Sequence, residues 1–210
     1  MCAAAWTSVY VSPSGRLENC CISKNGLGGI DTVDNVDQFY KTGKNLQIQK
    51  NMVENKFVKG CGVCDNDNDW TYKKSFNERY KDMQFRPGEF EFKYFDIRWS
   101  NACNLACMYC TPEFSSTWAH ELKDHNNMPK ETTNALLDYT LENVTNLDYV
   151  YLAGGEPLMM KENEIFLAEL ANKNPECEVL VNSNISLIGK TKIYESLLKF
   201  LKKLINTKIF

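Results

Sequence analysis

The chain has 210 residues, 43% of them hydrophobic, with a formal net charge of -3 at pH 7. That length holds one ordinary domain or two small ones, and the apolar fraction is enough for a packed core. Dispersed Lys and Arg and an acidic balance exclude the basic footprint of a phosphate-backbone binder, and no apolar run approaches membrane-spanning length, so neither nucleic acid nor a membrane is an expected partner.

The first ten residues, MCAAAWTSVY, lack a basic segment followed by an apolar one, and the protein is expected to be cytoplasmic. Residues 6–11 are rich in β-formers, Ser12-Pro13-Ser14-Gly15 supplies a turn, and residues 16–21 return as the second strand of a hairpin that would carry Cys2 toward Cys20. A glycine-containing loop at 25–29 leads to residues 33–55. Phe39, Leu46 and Val53 recur there at roughly helical spacing, with a break near Gly43. The chain then reaches Gly60-Cys61-Gly62-Val63-Cys64. Asp and Asn at 65–69 can cap a helix running to about Arg79, and Arg86-Pro87-Gly88 breaks the chain. A domain boundary is expected there, with residues 1–88 on one side and 89–210 on the other.

Beyond it, strand and helix patterns alternate, as in a parallel sheet with crossover helices. The predicted strands cover 92–99, 149–153 and 178–181, and the predicted helices 115–122, 132–142, 164–172 and 194–204. The last residues, Leu204 to Phe210, look like the start of a fourth strand. In such a sheet the segments after each strand gather at the carboxyl rim, where ligands bind. Three segments meet this description: the run CNLACMYC from Cys103 to Cys110, then Gly154-Gly155-Glu156-Pro157, then Asn182-Ser183-Asn184.

Nine cysteines cannot all be paired, and eight of them lie in the first 110 residues, so metal ligation explains them better than a disulfide framework. Cys177 stands apart as a buried, inert thiol. The C-x3-C-x2-C spacing of Cys103, Cys107 and Cys110 lets one loop ligate three irons of a cubane and leave the fourth open for chemistry. A zinc site is the plainer reading, with His120 as a fourth ligand, but zinc does not account for the Gly-Gly-Glu-Pro segment at the next strand end.

The triplet after the first of these strands, with Tyr109 just before its last cysteine, and Gly-Gly-Glu-Pro after the second, together resemble the radical S-adenosylmethionine (SAM) enzymes over about residues 92–210. The resemblance implies an α/β fold, a partial parallel β/α barrel of that type, of which 89–210 would hold the first three strand-helix units. It implies a [4Fe-4S] cluster on Cys103, Cys107 and Cys110 with SAM chelating the open iron. Gly154, Gly155 and Glu156 would lie at the SAM amino group, Tyr109 beside the adenine, and Asn182 or Asn184 toward the ribose or carboxylate. Reductive SAM cleavage would then give a 5'-deoxyadenosyl radical that abstracts hydrogen from a substrate. An electron donor such as flavodoxin or ferredoxin is implied as a partner.

The small cysteine-rich α+β region upstream resembles SPASM and twitch domains, which hold an auxiliary iron-sulfur cluster. Cys2, Cys20, Cys61 and Cys64 would be its ligands, with Cys21 competing with Cys20. A structural zinc site on four thiolates is the alternative. Such domains most often follow the radical core, whereas here the cysteines precede it. Relatives of this kind often modify a peptide or protein, which makes that the expected substrate class. The family barrel has six strand-helix units, so a chain truncated at its C-terminus is also expected. Two further readings stay open: a zinc-binding interaction module, and a catalytically dead iron-sulfur remnant or electron-transfer partner.

Overall fold

The structure is a computed structural model, and it describes residues 2–30, 36–41, 43–65, 83–187 and 189–210. Its frame is one seven-stranded sheet in the order β3-β2-β1-β4-β5-β6-β7. The strands are β1 (Ser8–Val11), β2 (Arg16–Glu18), β3 (Gly28–Gly29), β4 (Tyr94–Ile97), β5 (Tyr149–Leu152), β6 (Glu178–Val181) and β7 (Asn206–Ile209). From β1 through β7 along that order every neighbouring pair is parallel, and only the β1-β2 and β2-β3 pairs are antiparallel. This is the expected α/β class, an open and mostly parallel sheet, as in part of a β/α barrel. β7 is the fourth core strand read from residues 204–210.

The N-terminal hairpin forms with two differences. Residues 4–7 are not strand but a helical turn, α1 (Ala4–Thr7). The alanine run favours helix, Thr7 Oγ1 donates back to the Ala3 carbonyl at 2.9 Å, and Ser8-Val9-Tyr10-Val11 then turns extended. The turn to β2 depends on Gly15, whose φ of +83° suits a residue without a side chain. Gly28 and Gly29, expected as loop, pair with β2 as a short strand. The helical stretch breaks as expected into α2 (Val36–Tyr40) and α3 (Gly43–Val53), followed by a short α4 (Gly62–Asp65). The helix expected beyond residue 65 to about Arg79 lies outside the described residues.

The expected boundary at 88/89 does not separate two cores. β1 lies alongside β4 in parallel, with Val9 opposite Phe95 and Val11 opposite Ile97. One hydrophobic cluster runs from Ala5, Trp6, Leu17 and Tyr40 through Phe95, Phe166 and Leu197. Tyr139 Oη also donates to Asp37 across the two regions at 2.5 Å. A parallel partner more than eighty residues away leaves no local signal in either strand, which is why the sequence shows only the break at Arg86-Pro87-Gly88.

The C-terminal helices are α5 (Ser116–Leu122), α6 (Lys130–Glu142), α7 (Lys161–Lys173) and α8 (Lys192–Leu201), each within three residues of its expected limits. Strand alternation gives the sheet two faces. One face carries Val9, Val11, Phe95, Ile97, Val150, Leu152, Val179 and Val181, and with Leu136, Phe166, Leu167 and Leu197 of the helices it forms the main core. Phe95 and Phe166 stack there with centroids 4.4 Å apart. The other face is aromatic and polar. Its register residues are Tyr10 on β1, Tyr94, Asp96 and Arg98 at β4, Tyr149 and Tyr151 on β5, and Leu180 on β6. Tyr94 and Tyr149 stack at 5.0 Å, and Ala3, Ala4, Met83, Cys2 and Cys20 pack against them.

Candidate metal and cofactor centre

The cysteine triplet sits on the loop that leaves β4, and the first turn of α5 holds the loop's backbone in place. Cys103 N donates to Ser116 Oγ at 3.0 Å, and the Cys103 carbonyl accepts from Ser116 Oγ and Thr117 Oγ1. Ser115 Oγ donates to the Leu105 carbonyl, Trp118 Nε1 to the Cys107 carbonyl at 2.9 Å, and Cys110 N to the Cys107 carbonyl at 3.0 Å. Ser115 also caps α5 by accepting from Trp118 N, so one serine fixes both the helix start and the loop. Trp118, expected as core or as a shield, instead works through its indole N–H. At the loop's tip Met108 is 95% and Tyr109 90% exposed, so the Tyr109 ring faces solvent.

The Gly-Gly-Glu segment is pressed against this loop. Glu156 N donates to the Ala102 carbonyl at 2.6 Å, and a Cβ on Gly155 would overlap that same carbonyl oxygen. Gly154 has φ +103°, and its missing Cβ makes room for the stem of Arg98. Glu156 itself is fully buried. Its carboxylate accepts from Leu158 N at 3.0 Å, Ser183 Oγ at 2.7 Å and Asn184 N at 2.8 Å. In this arrangement the side chain meets protein donors, not an open space where an amine could sit. It acts on Asn184, whose Nδ2 donates to Asn104 Oδ1 at 3.2 Å and approaches Cys103 Sγ at 4.0 Å. Asn104 Nδ2 returns a bond to Ser186 Oγ at 2.8 Å. The three rim segments are thus joined, and Asn184 belongs to the joint. Asn182 is exposed, and its backbone N–H is bound to Leu152 O.

The donor chemistry of the triplet fits an iron-sulfur cluster. Partial burial pushes the Cys103 thiol up, and the negative charges of Glu156, Cys110 and Cys107 add to it. A cationic centre at the triplet would relieve the charge repulsion that Cys103 meets there. His120 is exposed, and its ring lies near that of His125 and not in the triplet, so the expected zinc ligand is not brought in. Among the described residues no three His, Cys, Asp or Glu side chains are gathered to metal-binding distance.

Of the upstream thiols, Cys2 and Cys20 pack together at the opposite end of the sheet, beside Tyr94 and Tyr149. Burial pushes Cys2 up to about 11, with Cys61 and Cys64 adding charge repulsion. Burial likewise raises Cys20 well above the ordinary thiol range, with Cys21, Cys2 and Cys61 adding. The charge of Cys21 reaches both Cys20 and the Tyr10 and Arg98 pair. The buried Glu18 carboxylate accepts from Ser23 Oγ, Asn25 N and Gly26 N and so shapes the loop that places Asn25 Nδ2 3.6 Å from Cys61 Sγ. Cys177 is buried away from both groups, and burial followed by Asp148 and Glu178 pushes its thiol up to about 12, as suits an inert core residue.

Cys2 packs beside Tyr94 at the start of β4, and Cys103 lies on the loop beyond its last residue, Ile97. The length of β4 separates these levels, about 10 Å at about 3.3 Å per residue. Between them Arg98 Nε donates to Asp96 Oδ1 at 3.1 Å, and the guanidinium carbon stands 5.1, 5.2 and 5.9 Å from the ring centroids of Tyr10, Phe114 and Tyr151. Ser183 and Asn104 lie inside rim segments read from the sequence but had no role assigned there, and Ser186 was not reached. Strand alternation could have put Asp96 and Arg98 on one face, but nothing local marks that face as the one bearing ligands.

A parallel sheet with a thiol loop at the carboxyl end of β4, joined to a glycine-glycine-glutamate turn after β5, defines a cofactor-binding α/β protein. The chain belongs to the radical SAM superfamily: the family model of that name matches residues 97–209, more than half of the chain. A GTP 3',8-cyclase from Nautilia profundicola is 25% identical over 97 residues, which are 46% of this chain and 29% of that protein. The chain therefore spans about three-tenths of the length of this curated relative. No solved structure matches the chain. Family membership implies an iron-sulfur cluster and SAM-dependent radical chemistry. No helix among the described residues is long and apolar enough to cross a membrane.

Proposed function

We propose that this chain carries the cofactor-binding half of a radical SAM enzyme, with Cys103, Cys107 and Cys110 holding the [4Fe-4S] cluster and Cys2, Cys20, Cys61 and Cys64 an auxiliary one. The observation that carries it is the close fit of Gly155 and Glu156 against Ala102, which binds the two motif segments into one rim. The bound cluster and SAM supply one-electron cleavage of a carbon-sulfur bond. The protein's own residues position and enclose. The α5 start fixes the cysteine loop, Glu156 holds Asn184 beside Cys103, and the glycines allow close backbone approach at the rim. Tyr109 and Met108 at the tip offer an apolar surface to an adenine ring.

Cys2 and Cys20 of the upstream set lie on the face that also bears Tyr10, Asp96, Arg98 and Tyr151, which favours a substrate held between the two centres. The resemblance of the upstream set to SPASM and twitch regions favours a peptide or protein as that substrate and a flavodoxin or ferredoxin as electron donor. The test is anaerobic reconstitution followed by iron and sulfide analysis. About eight irons with matching sulfide, and 5'-deoxyadenosine formed from SAM under a strong reductant, are the expected results. Zinc without sulfide at the triplet would overturn the reading.

A further inference from the structure

We propose that Arg98 is a carboxylate-binding residue, presenting the free edge of its guanidinium to an acidic ligand held on the aromatic and polar sheet face. The inference rests on the reading above only in naming where that carboxylate comes from. Arg98 meets Asp96 through Nε alone, and among the described residues neither Nη1 nor Nη2 makes a hydrogen bond. The side chain is only 13% exposed. Neither Nη is a buried atom left without a partner, so the edge of the fork is open to solvent on the side where a ligand would lie.

The surroundings hold the plane of the group and leave its edge open. Tyr10, Phe114 and Tyr151 stand around the guanidinium, and the stem lies in the space that Gly154 leaves by lacking a Cβ. Asp96 fixes the Nε side, so the Nη pair is aimed without needing the ligand to order it. A planar fork with two parallel N–H donors matches a carboxylate bidentately, which a lysine cannot do. Other charges nearby are already engaged. Arg16 also approaches Tyr10, at 5.8 Å, and lies 3.8 Å from both Glu18 and Glu113. Glu18 is taken up by its own loop. The Asp96 charge, hydrogen-bonded to Nε, weakens anion binding, with Tyr10 and Cys21 acting in the same direction, and removal of the Asp96 charge is therefore informative.

Two sources supply the chemistry, the carboxylate of SAM and an acidic group of the substrate. The probe is acetate, followed by saturation-transfer NMR on the full chain with its clusters reconstituted. Acetate should give a signal that Arg98→Gln reduces about tenfold or more, that Arg98→Lys keeps only in part, and that Asp96→Asn strengthens. Circular dichroism melting establishes that each variant is folded. If Arg98→Gln does not fold, the other two decide, and unchanged acetate binding in both sinks the proposal. So does an absent signal in the natural chain. Displacement of acetate by SAM but not by decarboxylated SAM assigns the site to the cofactor. Acetate retained beside both assigns it to the substrate. A chain that binds acetate through Arg98 yet cleaves no SAM would overturn the enzymatic reading and leave this one standing.

Discussion

At the scale of single residues, Glu156 shows how a motif side chain can act at one remove from the ligand. Its buried carboxylate accepts three hydrogen bonds from the segments that follow β5 and β6. Each donor left without an acceptor costs about 1–3 kcal/mol, so Glu156→Ala should lower stability by about 3 kcal/mol or more. The same change frees Asn184 from its place beside Cys103. SAM affinity should then fall at least tenfold while the iron content of the triplet persists, as measured by calorimetric titration and metal analysis on one sample. Unchanged SAM affinity in a destabilised but folded variant would confine Glu156 to a structural role. The motif was legible in the sequence; its partners were not, because Ser183 and Asn184 reach it only through the pairing of β5 with β6.

At the scale of elements, legibility followed locality. β6 spans the predicted residues, and β4 and β5 lie inside theirs, because aromatic and β-branched runs bounded by polar segments mark a buried strand whatever it pairs with. The helical turn at Ala4–Thr7 was hidden because Trp6 and Thr7 are good β-formers, and only the Ala3 carbonyl and the buried amides of Asn45 and Gln49, both donating to Ala5 O, reveal it. The parallel placement of β1 beside β4 makes the hairpin part of the main sheet. Phe166→Ala, which empties the stack on Phe95, should therefore destabilise both halves together by about 3–5 kcal/mol. Denaturation followed by fluorescence and by far-ultraviolet circular dichroism should give one coincident, shifted transition. Two separated transitions would mean that the N-terminal region folds independently after all.

For the whole molecule, the decisive feature is that two thiol groups sit at opposite ends of one sheet, tied to different loops. The triplet depends on the β4 exit and α5, whereas Cys2, Cys20, Cys61 and Cys64 depend on the N-terminal strand pair and the segment around Gly60. The length of β4, about 10 Å at about 3.3 Å per residue, lies between them. Changes about 10 Å apart that share no partner add nearly independently. Cys61→Ser should therefore lower the iron content from about eight to about four per chain and leave SAM binding at the triplet intact. Cys107→Ala should remove the complementary four irons together with SAM cleavage, and leave the upstream centre loaded. Iron and sulfide counts on the two variants and on the double variant provide the check. If Cys61→Ser also empties the triplet, the two ends of the sheet are coupled through the Tyr10, Asp96 and Arg98 group between them, and the picture of two separately held centres fails.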